Sequence, residues 1–320
     1  MAIAVDPSNP ANLYAAVDHF IFRSTDAGAT WYGADIGAVR VNTLAIDPST
    51  PSTIYSGVTS TDTTGGSTGG SIKTTDSGLT WELMAYGPGV SSMVVDPSSH
   101  LTVYAAAGGG IFKSTNGGIN WFAVNSGLTT YGFSQLLIAP TTPPTIYVLA
   151  GNSMIFKTYD GGANWVSAVT IGSETTISSL AVDPSSPTTL YAATSKGVYR
   201  CISGVGGWVP INSGLNNAEA KYVVVDPHNS NRVYVGTTEG GVFKTVNAGS
   251  SWTAINQGVT DWSIRFLAID PINTSTIYAG ANLGGIFKSV NGGTNWHGAN
   301  RGLLSLLRSM LVRPPESHPA

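Results

Sequence analysis

Short runs of apolar and β-branched residues, four to a unit, recur along this chain at a spacing of about 44 residues. The third copy shows the whole pattern: Met93-Val94-Val95 ahead of Asp96-Pro97, then Val103-Tyr104, then Ile111-Phe112-Lys113, and after a turn Asn120-Trp121. Each run has the length of a strand and alternates or stays apolar, so the pattern predicts strands rather than helices. The first run, Leu44-Ala45-Ile46 before Asp47-Pro48, has counterparts before Asp6, Asp96, Asp183, Asp226 and Asp270. Small and branched residues on both parities predict a strand buried on both faces. Proline cannot donate to a ladder and aspartate accepts from nearby amides, so Asp-Pro ends this strand in a turn.

The second run carries Tyr14, Tyr55, Tyr104, Tyr147, Tyr191, Tyr234 and Tyr278, and the third has the form Phe243-Lys244-Thr245. Between third and fourth runs lies a turn such as Ser24-Thr25-Asp26-Ala27-Gly28-Ala29-Thr30-Trp31. Its hydroxyl and carboxylate can bond turn amides, its glycine permits positive φ, and its tryptophan can pack between sheets. Seven of the eight tryptophans close copies of this unit: Trp31, Trp81, Trp121, Trp165, Trp208, Trp252 and Trp296. Repeats of this length read as propeller blades. The expectation is one all-β domain over residues 1–314, a seven-bladed β-propeller of four-stranded antiparallel blades, followed by a tail at 315–320.

The Ser-x-Asp-x-Gly-x-x-Trp turn resembles the Asp-box, or BNR repeat, of sialidases, sortilin-type receptors, two-propeller xyloglucanases and the photosystem II assembly propeller. Asp26, Asp76, Asn116, Asp160, Asn247 and Asn291 hold the acidic position. The resemblance implies the fold, a blade-edge place for the box away from the usual binding face, and an extracellular or cell-surface location. Departures are confined to two copies. Cys201 to Trp208 keeps the tryptophan without the acid, and Ala139-Pro140 replaces Asp-Pro. An eighth echo, Met310-Leu311-Val312-Arg313-Pro314, competes with Ile3-Ala4-Val5 for the closing position or is offered to another molecule. Intramolecular closure is favoured because it satisfies the backbone at lower entropic cost. The chain starts inside its first repeat, which shows no signal peptide and reads as a trimmed piece of a longer protein.

Charge narrows the chemistry. Only 10% of residues are charged and the net charge is −3, which gives no electrostatic reason to bind nucleic acid or anionic membranes. No apolar run is long enough for membrane insertion. Arg23, Lys73, Lys113, Lys157, Arg200, Lys244 and Lys288 share one repeat position and read as a solvated strand face whose stems cover aromatic neighbours. The five histidines have no ligand spacing, the lone Cys201 reads as packing, and neither metal nor cofactor is called for. Glycosidases flank one bond with two carboxyl groups; Glu219, Glu239 and Asp261, in loops of the sixth and seventh copies, are the catalytic alternative. The arginine triad that a sialidase would require has no counterpart, and the xyloglucanase cleft is built between two propellers.

Binding is expected where blades differ, on the face made by the second-to-third loops and the inter-blade connections. That face carries the Gly/Ser/Thr-rich loop at 59–71. Five residues before each Asp-Pro aspartate, or before Arg313, stand Asn42, Ser91, Ser134, Ser178, Lys221, Arg265 and Arg308. The last three are basic and successive, with Tyr131, Phe133, Tyr222 and Trp262 nearby. Cations beside exposed rings recognise acidic peptides, carboxylated sugars or proteins. The sequence thus points to a non-enzymatic module binding a protein or glycan. A BNR-type glycoside hydrolase or lyase is the alternative, and a homo-oligomer assembled through the surplus C-terminal strand is the second.

Overall fold

A computed structural model describes residues 2–303, apart from 38, 61–67, 169, 173, 205 and 217. Its strands form seven four-stranded antiparallel sheets, each built from four consecutive strands. The sheets are the blades of a β-propeller: blades 1 to 7 cover 2–35, 39–88, 90–123, 133–168, 177–210, 220–254 and 264–298. First strands of adjacent blades abut around the axis, and those of blades 7 and 1 abut as well. Ala2–Val5 is the inner strand of blade 1, paired with Leu13–Val17 from Ala2↔Ala16 to Val5↔Leu13. The closing position is thus held by the N-terminal strand. The expected eighth strand at 310–314, Arg308 and the tail at 315–320 lie outside the described residues.

The seven repeat tyrosines are the largest fully buried side chains, one under each blade. Over them lie the repeated cations, and here the expectation of a solvated face is corrected. Five of the seven lean from their third strand to the next blade and donate to a turn carbonyl: Lys73 to Gly117 at 3.1 Å, Lys113 to Gly161 at 3.2 Å, Arg200 to Ala248 at 2.9 Å, Lys244 to Gly292 at 3.0 Å and Lys288 to Ala27 at 2.8 Å. The stems do cover aromatic rings, with Lys73, Lys113, Lys244 and Lys288 ammonium groups 5.1–5.6 Å from the centroids of their own blade's tyrosines. Lys157 is only 2% exposed, over the Tyr159 ring. Around Lys73, Lys113, Lys244 and Lys288 a turn carbonyl and a ring face replace water, so these cations staple neighbouring blades.

The turns between third and fourth strands are self-contained. In blade 1 the Ser24 hydroxyl donates to Asp26 and accepts from Gly28 N, while Asp26 accepts from Thr30 N at 2.8 Å and from the Thr30 hydroxyl. Asn116 accepts from Asn120 N in blade 3, so the turn needs an acceptor more than a charge. In blade 5 the buried Cys201 Sγ donates to Gly206 O at 3.0 Å, within a turn of the same length that lacks the acid. Asp6 similarly closes its Asp-Pro turn by accepting from Ser8 N and Asn9 N.

Blades are joined by a second motif that sequence reasoning passed over. Four residues after the tryptophan, blades 3, 5, 6 and 7 carry Asn-x-Gly-Leu/Val, beginning at Asn125, Asn212, Asn256 and Asn300. Each asparagine Oδ1 accepts from the backbone N opening its own third strand, at 2.7 Å in all four. That bond turns the chain inward against the following blade. There the indole N–H of Trp165, Trp252, Trp296 or Trp31 donates to the carbonyl of Val124, Ile211, Ile255 or Ala299, at 2.6–2.8 Å. The backbone N of the same tryptophans donates to Ser126, Ser213, Gln257 and Arg301. The motif glycines, Gly127, Gly214, Gly258 and Gly302, have φ from +88° to +93° and sit so close that a Cβ would lie 2.0–2.2 Å from the tryptophan carbonyl oxygen. No other residue fits both the conformation and the gap.

This latch yields a paired test, because Gly37 shares the conformation of Gly302, φ +88°, but meets nothing within 4 Å. Gly37→Ala is expected to cost about 1 kcal/mol, the left-handed penalty alone; Gly302→Ala is expected to cost roughly 2 kcal/mol more through overpacking at the 7–1 seam. Urea midpoints of the two variants measure the difference. Acid is expected to weaken the ring through its turns. Asp26 is held down to about 2 by the side-chain and backbone donors of Thr30, below its ordinary 3.8. Its contribution is present above the unfolded value and is lost as pH falls through the folded one. Asp26→Asn, the residue type found at Asn116, therefore flattens the fall in stability between about pH 5 and pH 2, as urea unfolding across that range would show.

Candidate functional site

The second-to-third hairpins and the inter-blade connections share one face, as expected, with the acid turns on the other. On blades 6 and 7 two hairpins are tied to the flanking connections. Thr238 N donates to Glu219 O and Gly241 N to Trp262 O, while Asn282 N donates to Ser263 O. Lys221 and Arg265 each stand second in their first strands, Ala220–Asp226 and Ile264–Ile269. This confirms their register but not a free pair of charges.

Lys221 Nζ contacts Glu219 Oε1 at 2.5 Å, and Glu219 Oε2 accepts from the Thr238 hydroxyl at 2.9 Å. The Lys221 bond, aided by Thr238 and the nearby Arg265 charge, holds the Glu219 carboxyl below its usual range. Arg265 is exposed, with Nε donating to Asn282 Oδ1 at 3.2 Å. Asp261 is committed to backbone: Oδ2 accepts from Leu283 N and Gly284 N, both at 2.8 Å, and Oδ1 from Ser263 N at 3.0 Å. Burial pushes its carboxyl up, yet those amides and the Arg265 charge leave it lowered. Glu239 is exposed and faces the same hollow as Glu219, a space of about 540 Å³ walled by Leu215, Phe243 and Trp262.

The three nominated acids stand in different surroundings. Glu219 is ion-paired, Asp261 caps a turn, and only Glu239 stands open. The aromatics separate as well. Trp262 is 53% exposed, and Leu283 in the adjoining turn, which sequence reasoning missed, is 86% exposed. An isolated leucine in the polar run Asn282-Leu283-Gly284-Gly285 was the available signal. Tyr131 is 75% exposed but stands on the connection into blade 4, three blades from Trp262. Phe133, expected among surface rings, is corrected to core: it is 4% exposed and packs with Leu136, Ile146 and Val148. Tyr222 is half-buried and, with Phe266, lines the axial channel, where burial raises its phenol. That channel encloses about 320 Å³, and Asn42, Ser91, Ser134 and Ser178 line its other side. Asn42 and Ser91 spend hydrogen bonds on the next blade, donating to Val90 O and Phe133 O. Among the described residues no three His, Cys, Asp or Glu side chains gather as a metal site.

No family model and no curated protein matches the chain. Solved structures do. The GH74 xyloglucanase from Xanthomonas campestris superposes with a TM-score of 0.79 at 16% identity, over 94% of this chain and 54% of that one. YCF48 from Cyanidioschyzon merolae gives 0.68 at 13% identity, over 90% and 94%. YCF48 bound to D1 peptide gives 0.67 at 11% identity, over 91% and 93%. Identities this low establish a shared propeller fold. The chain spans about half the length of the GH74 protein, and nearly the whole of YCF48.

The bonds of Asp261 fix the turn that presents Leu283. Asp261→Ala is expected to speed hydrogen exchange at the Leu283 and Gly284 amides by at least about tenfold, the loss of a charge-assisted bond. The melting temperature should move little, since only one hairpin is released; exchange followed by NMR, beside a thermal melt, checks both.

Proposed function

We propose that this propeller is a non-enzymatic recognition module of the Asp-box class that engages a protein partner through the face of blades 6 and 7. The observation that carries this reading is Trp262 and Leu283, large apolar side chains exposed on a connection and a hairpin turn that Asp261 ties together. Arg265, the Lys221–Glu219 pair and Glu239 surround them with charge of both signs. An apolar centre with a mixed polar rim is the anatomy of a protein interface. The peptide complex of a similar propeller supports the same reading, although its ligand is not carried over. A location outside the cell or on its surface rests on the Asp-box resemblance alone.

A glycan is the second reading, favoured by the hollow beside Trp262, where a ring face and the Glu239 carboxylate could meet a sugar. Hydrolysis is a weaker reading of the same hollow. A general acid must hold its proton near the working pH, whereas Lys221 keeps Glu219 ionised.

The test is to probe peptide and glycan arrays with the labelled chain. Peptides bound by the wild type are expected to lose at least about tenfold in affinity with the pair Trp262→Ala and Leu283→Ala, as truncation of interface anchors does. Tyr159→Ser, on the opposite face, should leave binding intact. Equal binding by wild type and double variant would sink the proposal, and glycans alone retained on the arrays would replace it with the second reading.

A further inference from the structure

The seam between blades 1 and 2 lacks two parts found elsewhere in the ring. The first is the latch: Asp35-Ile36-Gly37 stands where its motif would begin, and the Trp81 indole nitrogen has no partner. The second is a side chain. The third residue after a blade's tryptophan reaches over the turn glycine of the next blade. From a Cβ built on Gly118, Gly162, Gly249 or Gly293, the side chain of Met84, Val124, Ile211 or Ile255 lies 2.2–3.1 Å away. At the latched 7–1 seam even Ala299 lies 3.7 Å from that point on Gly28. After Trp31 the residue is Ala34, and the nearest neighbours of Gly78 are instead the rings of Tyr14 and Trp81, at 3.4–3.8 Å.

A hollow of about 390 Å³ opens at this place. One wall is a face of blade 1 set by two cross-strand pairs, Arg23↔Tyr32 and Ile21↔Ala34. The other is the blade 2 turn at Gly78 and Leu79. Tyr32 and Leu79 are 71% and 70% exposed, so the hollow is open to solvent. Its one cation is Arg23. Unlike the five stapling cations, Arg23 donates to no turn carbonyl, and it makes no ion pair among the described residues. Its Nε is shut off from solvent, which leaves the two terminal nitrogens as the ones a ligand can reach. A guanidinium meets a carboxylate through two parallel N–H bonds. One cation balances one negative charge, whereas a dianion such as phosphate would keep a charge unanswered against Ile21, Ala34 and Leu79. Those same walls lack the aliphatic group that Met84, Val124, Ile211 and Ile255 supply at other seams.

We infer that the hollow between blades 1 and 2 binds an aliphatic carboxylate, with its acid group on Arg23 and its branched hydrocarbon end over Gly78, where the fourth-strand side chain is missing. A free branched-chain acid and the C-terminus of a protein ending in leucine, valine or isoleucine share that chemistry. The site lies on the turn face, away from the hairpins of blades 6 and 7, and stands whether or not the reading of those hairpins holds.

The test titrates the full ¹⁵N-labelled chain with isocaproate and with an acetylated peptide, Gly-Ser-Gly-Ser-Leu, that carries a free C-terminus. The Gly78 and Leu79 amide signals are expected to shift and saturate with a Kd of about 1 mM or below, while those of Leu283 and Gly284 stay. Isocaproamide, which keeps the shape without the charge, should bind at least about tenfold more weakly, as loss of a charge-assisted bond requires. Arg23→Met should weaken isocaproate to the same degree. Ala34→Ile, which introduces the side chain found at Ile211 and Ile255, should abolish the shift by filling the hollow. The amide needs no variant, so the test stays decisive if either substitution unfolds the chain. A peptide that binds more tightly than isocaproate identifies a protein terminus as the ligand, and equal or weaker binding identifies the free acid. The proposal is overturned by still Gly78 and Leu79 signals with both acids, by an amide as tight as the acid, or by undiminished binding to Ala34→Ile.

Discussion

A propeller blade is a sheet with two faces to cover and no means of covering them alone, so the ring depends on what one blade offers the next. In this chain the decisive offer is a carbonyl to an indole. The asparagine bond turns a strand end inward, a glycine without a Cβ lets two backbones touch, and the following tryptophan closes over the joint. The closing seam uses these same parts, with Trp31 of blade 1 over the segment Asn300 to Leu303 after blade 7. No strand has to be shared between the ends of the ring for this seam to match the others. The cation staples work in parallel on the opposite face, where Lys288 reaches Ala27 across the same junction.

This division of labour gives the repeated polar residues structural work. The turn aspartates and asparagines, the Asp-Pro acids and four of the five repeated lysines have backbone partners within the scaffold. What varies is left to the opposite face, and even there most charge is spent locally, Glu219 on Lys221 and Asp261 on three amides. Among the described residues exposed on that face are Trp262, Leu283, Arg265 and Glu239 on blades 6 and 7, and Tyr131 on the connection into blade 4.

Blade number, strand order and turn chemistry were legible because they repeat, and a repeated error in phase would have put seven tyrosines in solvent. The cations were misread because sequence does not reveal that a lysine's reach matches the distance to the next turn. The latch was missed for a different reason. Its residues occur in four copies of seven, so they resembled variation between loops, although Asn-x-Gly-Leu/Val at a fixed offset from tryptophan was visible. For the site, the register of Lys221 and Arg265 could be counted along the strands. The burial of Phe133 and the inward place of Tyr222 could not, since a ring near a loop faces core or solvent by an irregularity of pairing, such as those at Phe133/Gln135 and Ala220/Tyr222.

The two seams without a satisfied tryptophan flank one blade. Blade 2 meets blade 1 at Trp81 and blade 3 at Trp121, and at neither does a carbonyl answer the indole. In mechanical terms the ring is a hoop of unequal rivets, and blade 2 lacks the indole rivet on both sides. Blade 2 is joined to blade 3 by the bond from Asn42 to Val90 O and by the Lys73 staple to Gly117, so this seam is riveted at its two rims rather than at its tryptophan.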